Sequence, residues 1–227
     1  MLLRKCLPIV LAILLLIAFS PLPVQAAGAV YYVAKNGSDS NPGTEALPWL
    51  TIQKAVNSMS AGDTTLVKAG TYAEEVRIVS KPANMTLKAF PGDSPIIDGF
   101  GRVGFYEGII YVRNTDYLTL DGFELYRTTP GASGGGYGLC VDRDVDHLTA
   151  KNLKIHSINR GGMYFAGVFD QNSVESPTGT VTNLLVDGCD VYDTNMIIAS
   201  NELCSLIRVN GFELKNSKFH ESGLNSL

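Results

Sequence analysis

The chain is 227 residues long, 45% hydrophobic and 18% charged, with 23 glycines and 10 prolines. These values suit one domain with a sizeable core, or an elongated repeat array, and exclude a disordered or collagen-like chain. The formal charge of −4 excludes nucleic acid or an anionic membrane as a partner held by bulk electrostatics; an acidic polymer would need something cationic to bridge it.

Residues 1–26 read as a signal peptide. Arg4 and Lys5 form a short basic region, and Leu7 to Phe19 is an apolar run too short for a comfortable membrane span. Val24-Gln25-Ala26 has small residues where a signal peptidase reads. The mature chain, 27–227, is expected to be exported as one domain, without a stable membrane span. Cys140, Cys189 and Cys204 remain in it, an odd number, open either to one disulfide or to three buried thiols. No Cys-x-x-Cys and no His-x-x-x-His is present, which argues against zinc.

Ala29 to Val33 reads as a strand, and Lys35 to Thr44 as turn chemistry. One helix follows, Thr51 to Ser60, with Thr51 as N-cap and Ile52, Ala55, Val56 and Met59 on one face. Ala61-Gly62-Asp63 ends it, and everything beyond reads as short strands. Those strands repeat. Gly108 to Leu125 aligns without a gap on Gly138 to Ile155, at an offset of about 30 residues, with Arg113 over Arg143, Asp116 over Asp146 and Leu118 over Leu148. The unit is apolar-x-apolar, a two-residue turn, apolar-x-apolar; further copies start at Ile96, Leu184 and Phe212. Its second turn position is Gly99, Gly122, Asn152, Gly188 or Asn216, residues that tolerate a left-handed backbone.

A repeat of this size cannot bury its own apolar face and must stack on its neighbours. Three strands per repeat, each alternating, predict an all-β parallel β-helix of three-strand coils. The helix is then expected to cap the open edge of the first coil. No comparable cap follows Phe219, so further coils or a partner are expected there.

The chain resembles a known family at Tyr31-Tyr32-Val33, Gly37-Ser38-Asp39, Asn41-Pro42-Gly43-Thr44, Pro48-Trp49 and Thr51-Ile52. Ala61-Gly62-Asp63 and Ala69-Gly70-Thr71-Tyr72 extend the likeness. These are similar to the opening of secreted bacterial right-handed β-helix proteins related to pectate lyases, especially the ninth polysaccharide-lyase family and its uncharacterised relatives. The resemblance implies a right-handed helix and cleavage of an acidic polysaccharide by β-elimination. It implies Ca2+ held by acidic side chains to grip the substrate carboxylate, and a lysine or arginine that removes the C5 proton. The family's catalytic lysine has no counterpart among the lysines here.

Candidate residues follow from the repeat. Asp142, Asp144 and Asp146 cluster at one corner, with Asp116 one coil below and Asp170 one coil above, oxygen ligands of the kind a hard cation requires. The same residues also suit plain turn formation. Arg143 and Arg208 are the candidate bases, with Arg208 expected on a strand, and Lys151 stands behind them as a base or substrate contact. Each also suits a salt bridge between coils. Tyr164, with Phe165 and Phe169, suits a sugar platform or stacking within the solenoid. His147 and His156 read as lone surface histidines. Alternatives to a lyase are a non-catalytic glycan-binding or matrix module, and a hydrolase using Asp144 with Asp170.

Overall fold

The computed structural model describes residues 28–104, 107–129, 135–167, 179–194 and 203–222. The chain opens with strand β1 (Val30–Val33) and helix α1 (Ile52–Ser58). Three-strand coils follow: β2 (Thr64–Val67), β3 (Thr71–Tyr72) and β4 (Val76–Val79), then β5 (Thr86–Ala89), β6 (Ile96–Asp98) and β7 (Gly108–Arg113). The next coil holds β8 (Thr119–Asp121), β9 (Glu124–Tyr126) and β10 (Tyr137–Asp142). After it come β11 (Val145–Asp146), β12 (Thr149–Lys151), β13 (Lys154–His156) and β14 (Gly161–Ala166). Last are β15 (Val181–Asp187), β16 (Asp190–Thr194) and β17 (Cys204–Ile207), then β18 (Val209–Lys215) and β19 (Lys218–Ser222).

Each strand pairs in parallel with its counterpart one coil away, so three sheets run along the molecule. The first is β1-β2-β5-β8-β12-β15-β18, the second β3-β6-β9-β13-β16-β19, the third β4-β7-β10-β14-β17. This is the expected parallel β-helix. Inward columns fill it: Leu87, Leu120, Ala150 and Val186 from the first sheet, Tyr72, Ile97, Leu125, Ile155 and Val191 from the second, Ile78, Val112, Val141 and Phe165 from the third. Alternation forces this, because every second side chain points inside. Burying each large apolar side chain contributes about 1.5–3 kcal/mol.

Gly122, Asn152, Gly188 and Asn216 line up between the first and second sheets with φ of 83°, 50°, 68° and 47°. Asn152 donates to Asp121 Oδ1 at 2.7 Å and Asn216 to Asp187 Oδ1 at 2.8 Å, so the amides also tie coils together. Gly99 does not belong to this edge. Ile96–Asp98 lies in the second sheet beside Glu124–Tyr126, which puts Gly99 one corner further on; the first-sheet counterpart of Thr119–Asp121 is Thr86–Lys88.

The family-like opening has a physical explanation. Asp39 accepts from the Leu50 and Thr51 amides, both at 2.9 Å, and fixes the entry to α1. Gly43 has φ 79°, and a Cβ there would strike the Trp49 ring, which stacks on Tyr31. Thr51 caps the helix by accepting from the Lys54 amide. Buried Ile52, Ala55 and Val56 seat it on the first coil. Its Gln53 side chain mimics a strand: it donates to Arg77 O at 3.1 Å and accepts from Arg77 N at 2.7 Å, closing the outer edge of β4. Among the described residues no helix is long and apolar enough to cross a membrane. Cys140 and Cys189 are buried and Cys204 is partly buried, and among the described residues no disulfide joins them.

Candidate functional site

In the third sheet Arg77, Tyr111, Cys140, Tyr164 and Ser205 form one column, and Val79, Arg113, Asp142, Ala166 and Ile207 the next. Tyr111, Tyr137, Cys140, Tyr164 and Ala166 make a packed cluster separate from the core. In β7, β10 and β14 both faces of this sheet are therefore buried, and the second face is polar and aromatic. Arg113 forms a two-toothed ion pair with Asp142, and the Tyr111 hydroxyl donates to Asp142 Oδ1 at 3.0 Å. The Arg77 and Arg113 guanidiniums lie 4.6 and 5.3 Å from the Tyr111 ring centroid. Arg160 Nε donates to the Tyr137 hydroxyl at 2.8 Å, and Tyr137 stacks on Tyr164 with centroids 4.5 Å apart.

The electrostatics follow from that packing. Burial, then the Asp142 charge, pushes the Tyr111 phenol up. The hydrogen bonds to Asp142 hold the Arg113 guanidinium even more firmly protonated than usual. Neither group is primed as a base. Burial and the neighbouring Asp142 also raise the Cys140 thiol, so it is an inert packing group.

The sequence-predicted residues fall in three places. Asp142 and Tyr164 lie on this third-sheet face, although Tyr164 is buried against Tyr137 and offers no open platform. Phe165 points into the core, and Phe169 lies outside the described residues. Arg143 and Arg208 stand at the corner between third and first sheets, both exposed and both left-handed, with φ of 56° and 52°, and Gly167 lies on the coil between them. Arg208 is thus a corner residue after β17 and not a strand residue, because the chain turns from β17 into β18 there. Lys151 ends β12 on the outer side of the first sheet, in an alternating column of Lys88, Asp121, Lys151, Asp187 and Lys215. It is not brought to Tyr164.

The acidic corner is divided. Asp142 turns to Arg113. Asp144 Oδ1 accepts from the Thr180 amide at 3.2 Å, and Asp116 Oδ1 from the Asp146 amide at 2.9 Å. Asp146 accepts from the Thr182 hydroxyl and the Asn183 amide and pairs with His147. Those bonds, the Thr182 hydroxyl foremost, lower its carboxyl to about 2. Among the described residues no three His, Cys, Asp or Glu side chains converge on a metal-sized space. Each of the four described aspartates accepts from a protein donor, and Asp170, the fifth of the expected ligands, lies outside the described residues.

Two histidines read as solitary are stacked. His147 lies on Tyr117 with centroids 4.5 Å apart, and His156 on Tyr192 at 4.9 Å, in a second-sheet column Tyr126–His156–Tyr192–His220. Sequence reasoning also passed over Tyr111, Arg113, Tyr137 and Arg160. Arg113 was within reach: the alignment that pairs it with Arg143 needs a single-residue gap to put it opposite Asp142.

Comparison with known proteins agrees with this architecture. The chain is 37% identical over 172 residues to pectate lyase PEL9 of Emericella nidulans, covering 69% of this chain and 40% of that protein. It is 22% identical over 140 residues to the uncharacterized protein YwoF of Bacillus subtilis (strain 168), covering 59% and 30%. The chain thus spans well under half the length of these curated relatives. The GH136 lacto-N-biosidase from Eubacterium ramulus shares the fold with a TM-score of 0.62 at 17% identity, over 86% of this chain and 42% of that one. The model of the Pel9A-like right-handed β-helix region matches residues 31–218. By that match, which takes in every coil from β1 into β19, the chain belongs to the Pel9A-like right-handed β-helix family.

Proposed function

We propose that the protein is an exported carbohydrate-active protein acting on an acidic polysaccharide such as pectate by β-elimination. The observation that carries this reading is the pair of exposed guanidiniums, Arg143 and Arg208, set two coils apart on one edge of the polar third sheet. Coils repeat at about 4.8 Å, so the backbones of the two sites lie roughly 10 Å apart along the solenoid axis. A linear polyanion lying parallel to that axis meets both. The formal charge of −4 repels such a polymer overall, and Asp144 stands beside Arg143, so the two guanidiniums are the groups at this corner that attract it. The 37% identity to a pectate lyase supports the substrate class.

β-Elimination removes the proton at C5 of a uronate; its electrons form the C4–C5 double bond as the C4–O glycosidic bond breaks, and the leaving oxygen takes up a proton. In this reading Arg143 accepts the C5 proton and Arg208 holds a neighbouring carboxylate. An arginine does this only when the substrate's surroundings displace its proton. Arg113 is unsuited to the step because it is clamped on Asp142. No step is assigned to calcium, whose binding here would require Asp170 beside Asp144.

Polygalacturonate incubated with the full chain, with and without calcium, tests the proposal. Ultraviolet absorbance of an unsaturated product supports it. New reducing ends without that absorbance indicate hydrolysis. Retention on immobilised polygalacturonate without cleavage indicates a binding module, the reading favoured by the engagement of every described aspartate of the corner with protein donors.

A further inference from the structure

A column of left-handed residues runs up the start of the first sheet: Gly62, Asn84, Tyr117, His147, Asn183 and Gly211, with φ of 86°, 61°, 53°, 57°, 53° and 77°. Glycine and asparagine tolerate that backbone best, histidine is also enriched there, and tyrosine adopts it less readily. Left-handed residues recur at every corner of this solenoid, Arg127, Arg143, Ser157 and Arg208 among them, so the conformation belongs to the coil turns. Here it holds two rings face to face, 4.5 Å apart and 11° from parallel, with Tyr117 47% exposed.

The stacked pair borders a groove of about 410 Å³ lined by Asn84, Thr86, Tyr117, Thr119, His147 and Thr149. Thr86, Thr119 and Thr149 are in register on successive coils, so the floor is a row of hydroxyls one coil apart. His147 covers one face of Tyr117, and on the other side the column continues with the short Asn84, which leaves that face bordering the groove. Nothing lining it carries a fixed positive charge. His147 is paired with Asp146, and Asp116 and Asp146 directly precede Tyr117 and His147 in the chain. The neighbouring Lys88, Asp121 and Lys151 column alternates in sign.

We propose that this groove is a second glycan site, one that takes an uncharged pyranose ring stacked on Tyr117 with its hydroxyls on the threonine floor. An aromatic face beside a row of hydroxyls suits a ring with one apolar face and an equatorial belt of OH groups. Beside the stacked rings the charged neighbours are Asp116 and Asp146, which disfavour a uronate there, while Lys88 and Lys151 at the far end are offset by Asp121. The groove lies on the outer face of the first sheet, past the corner that carries Arg143 and Arg208, and its test reads neutral sugars, so it stands or falls independently of the lyase reading.

The test is a titration of the full chain with xylo-, gluco- and galacto-hexaoses, and with trigalacturonate for comparison, followed by the methyl signals of Thr86, Thr119 and Thr149. A neutral hexaose is expected to shift them and trigalacturonate to bind at least tenfold more weakly. Tyr117→Asn, which installs the residue found at positions 84 and 183 of the column, is expected to weaken neutral binding roughly two- to tenfold or more while leaving Tm unchanged or raised. Thr119→Val, which keeps the side-chain volume, is expected to weaken it a few-fold. Absence of methyl shifts with every neutral hexaose overturns the proposal. So does preference for trigalacturonate, or a Tyr117→Asn protein that loses Tm but binds as before.

Discussion

Arg113 and Asp142, on adjacent coils of the third sheet, are joined twice: Nε to Oδ1 and Nη2 to Oδ2, each at 2.6 Å. The carboxylate is nearly buried, and the guanidinium is less than a third exposed. Removing one partner leaves the other's charge in a poorly solvated place. Arg113→Leu should therefore cost about 2–4 kcal/mol of unfolding free energy, and the double change Arg113→Leu with Asp142→Leu should recover a large part of it. Urea denaturation of the two single variants and the double variant measures this. Additive losses would contradict the coupling.

Asp146 gives the acid limb of stability a definite position. Its carboxyl is lowered from 3.8 to about 2 in the folded chain by the Thr182 hydroxyl, the Asn183 amide and His147. A depressed folded value contributes stability that is complete above the unfolded value and lost as pH falls through the folded one. The contribution should fade between about pH 4 and pH 2. Asp146→Asn should flatten the Tm-against-pH curve in that window and lower Tm at pH 7.

Gln53 substitutes for a missing strand on β4. Gln53→Ala should free the Arg77 amide and carbonyl, lower stability by about 1–2 kcal/mol and raise light scattering on heating, since an uncovered sheet edge templates association. Gln53→Glu loses the donor to Arg77 O and should be nearly as damaging. Unchanged melting and scattering in both would show that α1 covers this edge without Gln53.

Gly188 sits at φ 68°, and a Cβ there would lie 2.7 Å from Asn152 Oδ1. Gly188→Val should cost about 1–2 kcal/mol from the backbone alone, and it should also disturb the Asn152 bond to Asp121. Gly92 has φ 88° but open space around it, so Gly92→Val isolates the backbone cost from the clash.

The coil plan is legible in the sequence because it rests on side-chain alternation and on turn residues that must be left-handed. Leu118, Leu148, Leu184 and Phe212 mark the same place in four coils, and Gly122, Asn152, Gly188 and Asn216 mark the same corner. Register between coils is less legible. The chain takes one residue more from Asp142 to Thr149 than from Arg113 to Thr119, so a gapless alignment is right in the first sheet and wrong in the third. The coincidence of Arg113 with Arg143 favours the wrong register, hiding an ion pair behind an identity. Gly99 misleads for another reason: it is a glycine at a different corner kept small by close packing, since a Cβ there would lie 2.6 Å from Ile109 Cγ1. The site is less legible still. Tyr111, Tyr137 and Tyr164 belong to three coils, and only their packing distinguishes them from the surface aromatics of the second sheet. Asp142, Asp144 and Asp146 alternate toward different neighbours, so three carboxylates close in sequence end up with separate partners.

The basic edge at Arg143 and Arg208 is tested most directly by binding of oligogalacturonate to the full chain at several salt concentrations, for wild type, Arg143→Ala, Arg208→Ala and the surface control Lys218→Ala. Each arginine variant is expected to bind several-fold more weakly and to have a shallower salt dependence, with Lys218→Ala indistinguishable from wild type. Equal binding by all four proteins would contradict the account.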